Sequence, residues 1–474
     1  MNDEPVSNKI EDDIYLRSAF FRYLALIAAL LAWTFDGVEQ GVYSYMTRPA
    51  LLDLVPGINE LNQEKQDLLV QIESRKAEGA SVEDLQRRTD ELTDEIDGPV
   101  GKFFGLALAF WLFGAAAGGV LFGWMGDHIG RVKSLVYAVI VYSLFTGLSA
   151  FSPHWLPFVA CRFLGALGLG GAWPLSVALI METWPDRNRP VLAGLMGMGA
   201  NIGYWIAASY SEYMRDLGYN WRWVIGMGCI IGLSSLLVIV FVPESTKWKQ
   251  SRMKKQSTSI KELFTPQYRR ASIVGMLLST VALVGTWGSF LWLAAYADQI
   301  AQGTDFAATA GSTVGKFQTY GQIIGGFMGG VLAGVMGNKR SWCFLCITAW
   351  VSVLALFGFN DVFGSQMLWM GALAGLFVTA FFGWLPKYLP ELFPTRIRAT
   401  GQGFSYNFGR IITGFCVIGA GFLVDAFKGD YRKGMMVMCC VYLLGLIVIM
   451  FAPDTGGKMV TDEEDEAAMN REAT

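Results

Sequence analysis

Glu182-Thr-Trp-Pro185-Asp-Arg187-Asn-Arg189 recurs 209 residues later as Glu391-Leu-Phe-Pro394-Thr-Arg396-Ile-Arg398, a shared E-x-x-P-x-R-x-R. A second pair keeps nearly the same offset. Gly123-Trp-Met-Gly126-Asp127-His128-Ile-Gly130-Arg131 is matched 211 residues on by Gly334-Val-Met-Gly337-Asn338-Lys339-Arg340. A chain that repeats itself at about half its length is built from two like halves. Each repeated stretch also ends a long apolar run. The first run extends from about Ser18 to Met46; others lie at about 100–125, 133–152, 155–184, 190–212, 222–242, 271–298, 314–336, 342–360, 367–391, 399–425 and 433–453. Each is near or above the roughly 20 residues that cross about 30 Å of hydrocarbon. The expected fold is an all-α membrane protein of twelve transmembrane helices in two six-helix bundles. Residues 1–242 form the first bundle, 243–270 a linker, and 271–474 the second bundle and tail.

Composition agrees. Of 474 residues, 53% are hydrophobic and 16% charged, whereas soluble domains average about 25% charged. Such a chain cannot cover a water-facing surface, and its apolar content excludes intrinsic disorder. A formal net charge of −3 offers no basic field for nucleic acid. Cys343-x-x-Cys346 lies in an apolar run without a second pair, and the histidines are His128 and His154 alone. No metal site, nucleophile or cofactor motif emerges, so neither an enzyme nor a bound cofactor is expected. Residues 1–17 are polar and acidic, which does not fit a removable signal peptide.

Lysine and arginine orient the spans. Arg131 and Lys133, Arg187 and Arg189, Lys339 and Arg340, and the basic linker share one side, which the positive-inside bias makes cytoplasmic along with both termini. The loop at 426–433 is a mild exception. On the other side, about 51–98 reads as an external helical hairpin. Ile58, Leu61, Leu68 and Ile72 keep heptad-like spacing; Gly79 breaks it; Ser81 resembles an N-cap; Val82, Leu85, Leu92 and Ile96 resume it. A stabilising cap and a gating or partner-binding element are both open readings of it.

Ionisable residues deep in a span are costly and mark function by default. Asp36 and Glu39 fall about 15 and 10 Å below the outer end of span 1, and Arg162 about 10 Å below that of span 4. Asp36 or Glu39, held ionised by Arg162 and released from it, is the expected proton carrier; a purely structural ion pair is the alternative. Arg410, about 16 Å into span 11, suits a carboxylate or phosphate through bidentate bonds. Tyr406 and Asn407 share its stretch, and Asn201 is its counterpart at the 209-residue offset. Trp173, Trp287, Trp292, Trp384, Tyr320 and Gln322 are further candidates for a cavity wall. Asp127, Arg131, Glu182, Arg187, Arg189, Glu391, Arg396 and Arg398 sit at cytoplasmic helix ends. There they can form charge pairs that hold one conformation and break in the other.

These motifs resemble the major facilitator superfamily. G-x-x-x-D-x-x-G-R resembles its loop signature between spans 2 and 3, with His128 where the family usually has Arg. Arg162-Phe-Leu-Gly165-Ala-Leu-Gly168-Leu-Gly170-Gly171 resembles its span-4 motif, and the E-x-x-P-x-R-x-R pair its cytoplasmic clamp. Asp36-Gly37-Val38-Glu39 is similar to the D-G-[FY]-D of proton symporters for sialic acid and aromatic acids. Glu stands for the second acid and Val for the aromatic residue. Ser405-Tyr-Asn-Phe-Gly-Arg410 resembles span 11 of organic-anion carriers, while a span-1 acid with a span-4 Arg is also similar to proton-coupled sugar porters. The resemblance implies a monomeric secondary transporter of the plasma (inner) membrane, taking up a small organic anion with protons by alternating access. A sugar symporter or uniporter, an efflux antiporter and a transporter-like sensor are the other readings.

Overall fold

In hydrocarbon each backbone amide must find its partner within its own segment, so the apolar runs fold as helices. The computed structural model describes residues 6–78, 81–253, 259–301, 304, 306, 309–428, 430–463 and 465. In chain order the helices are α1 (Val6–Leu54), α2 (Ile58–Ala77), α3 (Glu83–Ile129), α4 (Arg131–Ser149), α5 (Trp155–Thr183), α6 (Arg189–Asp216), α7 (Trp221–Ser234), α8 (Leu236–Ile239) and α9 (Thr246–Met253). Then follow α10 (Pro266–Leu283), α11 (Leu293–Ile300), α12 (Ala310–Met336), α13 (Asn338–Phe359), α14 (Ser365–Tyr388), α15 (Arg398–Ala426), α16 (Tyr431–Met438) and α17 (Val441–Val448). A π-helical stretch, Val284–Ser289, lies between α10 and α11.

Among the described residues, eleven helical stretches are long and apolar enough to cross a membrane. They fall on eleven of the twelve expected runs. The sixth run, 222–242, is interrupted: α7 stops at Ser234, and α8 follows after Ser235. Ser235 donates its hydroxyl to Gly232 O at 2.8 Å, the local competition for backbone acceptors that weakens a helix at serine. The hairpin also differs from expectation, because its second arm is the first part of α3 and runs through Pro99 into the second span. Val82, not Ser81, holds the cap position, and it does so without a side-chain bond. Gly57 makes the turn between α1 and α2 at φ 80°, a conformation that favours glycine. Ile58, Ile72, Leu92 and Ile96 are buried along the hairpin, and Arg88 Nη2 meets Glu64 Oε1 at 3.0 Å between its arms.

The first six spans pack mainly as α3 on α5, α4 on α5 and α1 on α6; the last six as α12 on α14, α10 on α15 and α13 on α14. The two bundles meet where α6 crosses α12 and α3 crosses α15. Small residues allow that approach. A Cβ added at Gly326 would stand 2.3 Å from Gly197 O, so α6 and α12 touch backbone to backbone.

Candidate functional site

A cavity of about 910 Å³ separates the bundles, running from Trp33 and Tyr406 to Pro49, Asn220 and Ser312 near the hairpin end. Arg410 lines it, along with Asn201, Gln322, Tyr406 and Trp287 from the expected set. Gln40, Gln318 and Thr379 add polar groups that the sequence did not single out. Arg410 is 4% exposed and donates from Nη1 to Asn407 Oδ1 at 3.0 Å. Its guanidinium lies 5.1 Å from the Tyr406 ring and 5.8 Å from that of Trp111. Asn407 stands behind it. Its amide donates to Gly403 O at 3.0 Å and, across the bundles, to Gly170 O at 3.2 Å. Tyr406 is stacked on Trp173 at 4.1 Å. Arg410 is therefore held by neutral groups alone, with no carboxylate at ion-pair distance among the described residues. Its remaining N–H groups form the planar fork that matches a carboxylate.

Four expected wall residues, Trp173, Trp292, Trp384 and Tyr320, do not line the cavity; Trp173 is buried behind Tyr406. Trp384 is fully buried toward the opposite end and donates to Asn338 O and Ser341 Oγ, both at 3.0 Å. Its N–H is satisfied, and its ring packs on Trp342 and Tyr388. Tyr320 is 51% exposed. The cavity face of α12 runs Gly311, Gly315, Gln318 and Gln322, and position 320 lies off that helical stripe. Trp292 is absent from the wall as well and packs near Tyr431.

Span 1 divides its two acids. Glu39 Oε1 accepts from Arg162 Nη1, and from Thr146 Oγ1 at 2.7 Å. Asp36, with no exposure, accepts at Oδ1 from Gln40 Nε2 at 3.1 Å, and its Oδ2 has no partner among the described residues. The cation whose charge acts on Asp36 is Arg410, not Arg162. Three residues apart, the two carboxylates share one helix face, yet the offset of about 60° and one helical step suffices to give them different partners.

At the end away from the hairpin the bundles are bonded together. Asp127 accepts from Arg131 Nη1 at 2.8 Å and, across the interface, from Ala399 N at 3.2 Å and Thr400 N at 2.8 Å. A carboxylate thus caps the first turn of α15, where the helix dipole favours it. Glu182 receives Arg131 Nη2 at 2.9 Å and Arg398 Nη1 at 3.3 Å. Arg131 also reaches Thr395 O at 2.7 Å. The second-half counterpart is local. Glu391 is bonded to Lys387 at 3.1 Å, to Asn338 at 2.7 Å and to Thr455. Arg396 turns to Glu262 and to Asp465, the latter at 3.1 Å. Arg189 pairs with Asp186 at 2.6 Å. Arg187 is exposed and stands outside this network. His128 bonds to the carbonyl of Trp124 at 2.9 Å.

The linker joins in, which no sequence motif had signalled. Ser245 Oγ donates to Glu182 Oε2 at 2.6 Å, and Trp248 Nε1 to Asp127 O at 2.8 Å. Glu244 accepts from the first amides of α4, Arg131 N at 2.8 Å and Val132 N at 3.1 Å. Burial pushes the Glu244 carboxyl above the ordinary range, while bonds from Ser245, Arg131 and Val132 amides pull it back in part.

Two helical bundles that enclose a largely apolar cavity set with a few polar groups, reaching one end and bonded shut at the other, have the build of a membrane transport protein. The sequence model of the Major Facilitator Superfamily matches residues 98–320. A Bacillus subtilis (strain 168) protein named as a niacin/nicotinamide transporter, NiaP, is 30% identical over 350 residues, 71% of this chain and 83% of that one. The sialic acid transporter NanX of Escherichia coli (strain K12) is 27% identical over 349 residues, 72% and 82% of the two chains. The solved structure of the proton:xylose symporter XylE bound to 6-bromo-6-deoxy-D-glucose superposes with TM-score 0.70 at 17% identity, covering 95% of this chain and 99% of that one. That likeness bears on the fold. The chain belongs to the major facilitator superfamily. It is a multi-pass integral membrane transporter and not an enzyme.

Proposed function

We propose that this transporter takes up a small organic anion, a carboxylate or sugar acid, by proton symport and alternating access. The observation that carries the reading is Arg410, a guanidinium on the cavity wall with neutral partners only. Asn201, Gln318 and Gln322 line the same cavity and suit the rest of a polar substrate. Niacin and sialic acid are carboxylic acids that appear in the names of two relatives, the first of which is also named for the neutral amide nicotinamide. Glu39, paired with Arg162, is the proton carrier, and Asp36 a second acid within the field of Arg410. The clamp of Asp127, Arg131, Glu182 and Arg398 holds the cavity open to the hairpin side, which is the outside. The termini are cytoplasmic, and the protein works as a monomer in the inner membrane. A neutral sugar is the second reading, favoured by the amides of the wall.

Uptake into proteoliposomes tests both. Labelled nicotinate, sialic acid and xylose are offered with and without an alkaline lumen. Accumulation of an acid above its external level, abolished by a protonophore and unaffected by replacing sodium with potassium, is expected. Uptake that only equilibrates, or that is seen with xylose alone, would overturn the reading.

A further inference from the structure

Tyr43 stands one helical turn beyond Glu39 on α1, on the same face. It is 2% exposed and, unlike Trp111, does not line the cavity. The Arg162 guanidinium lies over its ring, 4.9 Å from the centroid. The same ring stacks on Trp111 of α3, with centroids 5.9 Å and planes 12° apart. Trp111 lies 6.0 Å from Trp287 of the other bundle, and the Arg410 guanidinium is 5.8 Å from its ring. An unbroken line of side chains therefore runs Glu39, Arg162, Tyr43, Trp111, Arg410. It joins the acid–base pair of one bundle to the cavity cation of the other.

We propose that Tyr43 is a positioning residue whose ring transmits occupancy of Arg410 to the Glu39–Arg162 pair, and so couples substrate to proton. This rests on the reading of Arg410 as the anion site and Glu39 as the proton carrier. An aromatic stack with a guanidinium at each end is attracted from both ends. An anion on Arg410 neutralises one of them. The stack then holds Arg162 more strongly, Arg162 holds Glu39 less, and Glu39 takes its proton when the anion is bound. Other titratable groups near Glu39 are Asp36 on its own helix, Tyr142 on α4 and Tyr204 on α6. Tyr43 alone among them carries a guanidinium over its ring and a stacked neighbour leading to Arg410. The hydroxyl adds nothing to this line. It has no hydrogen-bond partner among the described residues, and neighbouring Thr47 donates its own hydroxyl to Tyr43 O at 2.6 Å.

The test separates exchange from accumulation in proteoliposomes, with nicotinate and sialic acid as probes. Tyr43→Leu is expected to exchange labelled for unlabelled acid at close to the wild-type rate, while its proton-driven accumulation falls at least five-fold. Tyr43→Phe, which keeps the ring, is expected to accumulate like wild type. Accumulation by Tyr43→Leu equal to wild type overturns the coupling role and leaves symport intact. So does loss of both activities in Tyr43→Leu and Tyr43→Phe alike when both elute and melt as the wild type does. If the wild-type protein accumulates neither acid, the symport reading fails, and this proposal falls with it.

Discussion

Arg410 shows what one residue can decide. A guanidinium in mid-span costs about 2.5–3.5 kcal/mol on insertion scales. One neutral hydrogen bond to Asn407 and two ring contacts return part of this. An anionic substrate on Arg410, as proposed, would return the rest, and Asp36, on which its charge acts, is the competing anion. Arg410→Lys keeps the charge and loses the planar fork. Affinity for nicotinate should then fall about ten-fold or more, the worth of roughly one charge-assisted hydrogen bond, while affinity for neutral nicotinamide changes little. Calorimetry on the purified protein measures both, and equal losses would make Arg410 a brace for Asn407 and α5. The four buried charges were legible in the sequence because an ionisable residue in an apolar run is conspicuous. Their pairing was not. The choice of Glu39 over Asp36 for Arg162 depends on helix rotation and on Thr146, and serine, threonine and aromatic residues are too common in these spans to be signals. Trp384 and Tyr320 failed for the same reason: residue type was readable, but the face each one turns to was not.

At the scale of elements, helix ends carry much of the architecture. Asp127 caps α15 from the other bundle, and Glu244 caps α4 from the linker. The repeated motifs located the first contact. The second was hidden because a single glutamate beside a basic linker has no period to reveal it. The broken sixth span was equally hidden, since hydropathy averages over Ser234 and Ser235. Glu244 has a pH signature. Its carboxyl lies above the ordinary range, so the folded protein holds that proton more tightly than the unfolded chain does. The group's contribution to stability is then full in acid and is lost as pH rises through the raised value. Glu244→Gln should remove this dependence. Thermal unfolding in detergent at pH 4.5 and 7.5 should show the wild-type melting point falling relative to the variant by about 1–2 °C. A constant difference would mean that Glu244 titrates as it would in water.

At the scale of the whole molecule, the cavity reaches one end and the charged contacts close the other, the arrangement that the proposed alternating access would need for one of its two states. What favours that state is concentrated where α3 meets α15. Asp127 there joins Arg131 to the amides of Ala399 and Thr400. Asp127→Asn isolates the effect of charge. Asparagine is itself a good cap and still accepts from the Thr400 amide, so the helix end survives while Arg131 loses a buried anion. Removing one partner of a buried pair costs about 3–5 kcal/mol. Glu182 remains on Arg131, which limits the loss, and even about 1.4 kcal/mol moves a two-state ratio ten-fold. Spin labels at Asn220→Cys and Ser312→Cys, on opposite sides of the cavity mouth, would report the balance once the seven native cysteines are replaced. The short-distance population, with the mouth closed, should grow several-fold in Asp127→Asn. If the distribution stays unchanged in a variant that melts like the parent, the clamp does not set the equilibrium. The backbone contact of α6 with α12 at Gly197 and Gly326 then becomes the element that does.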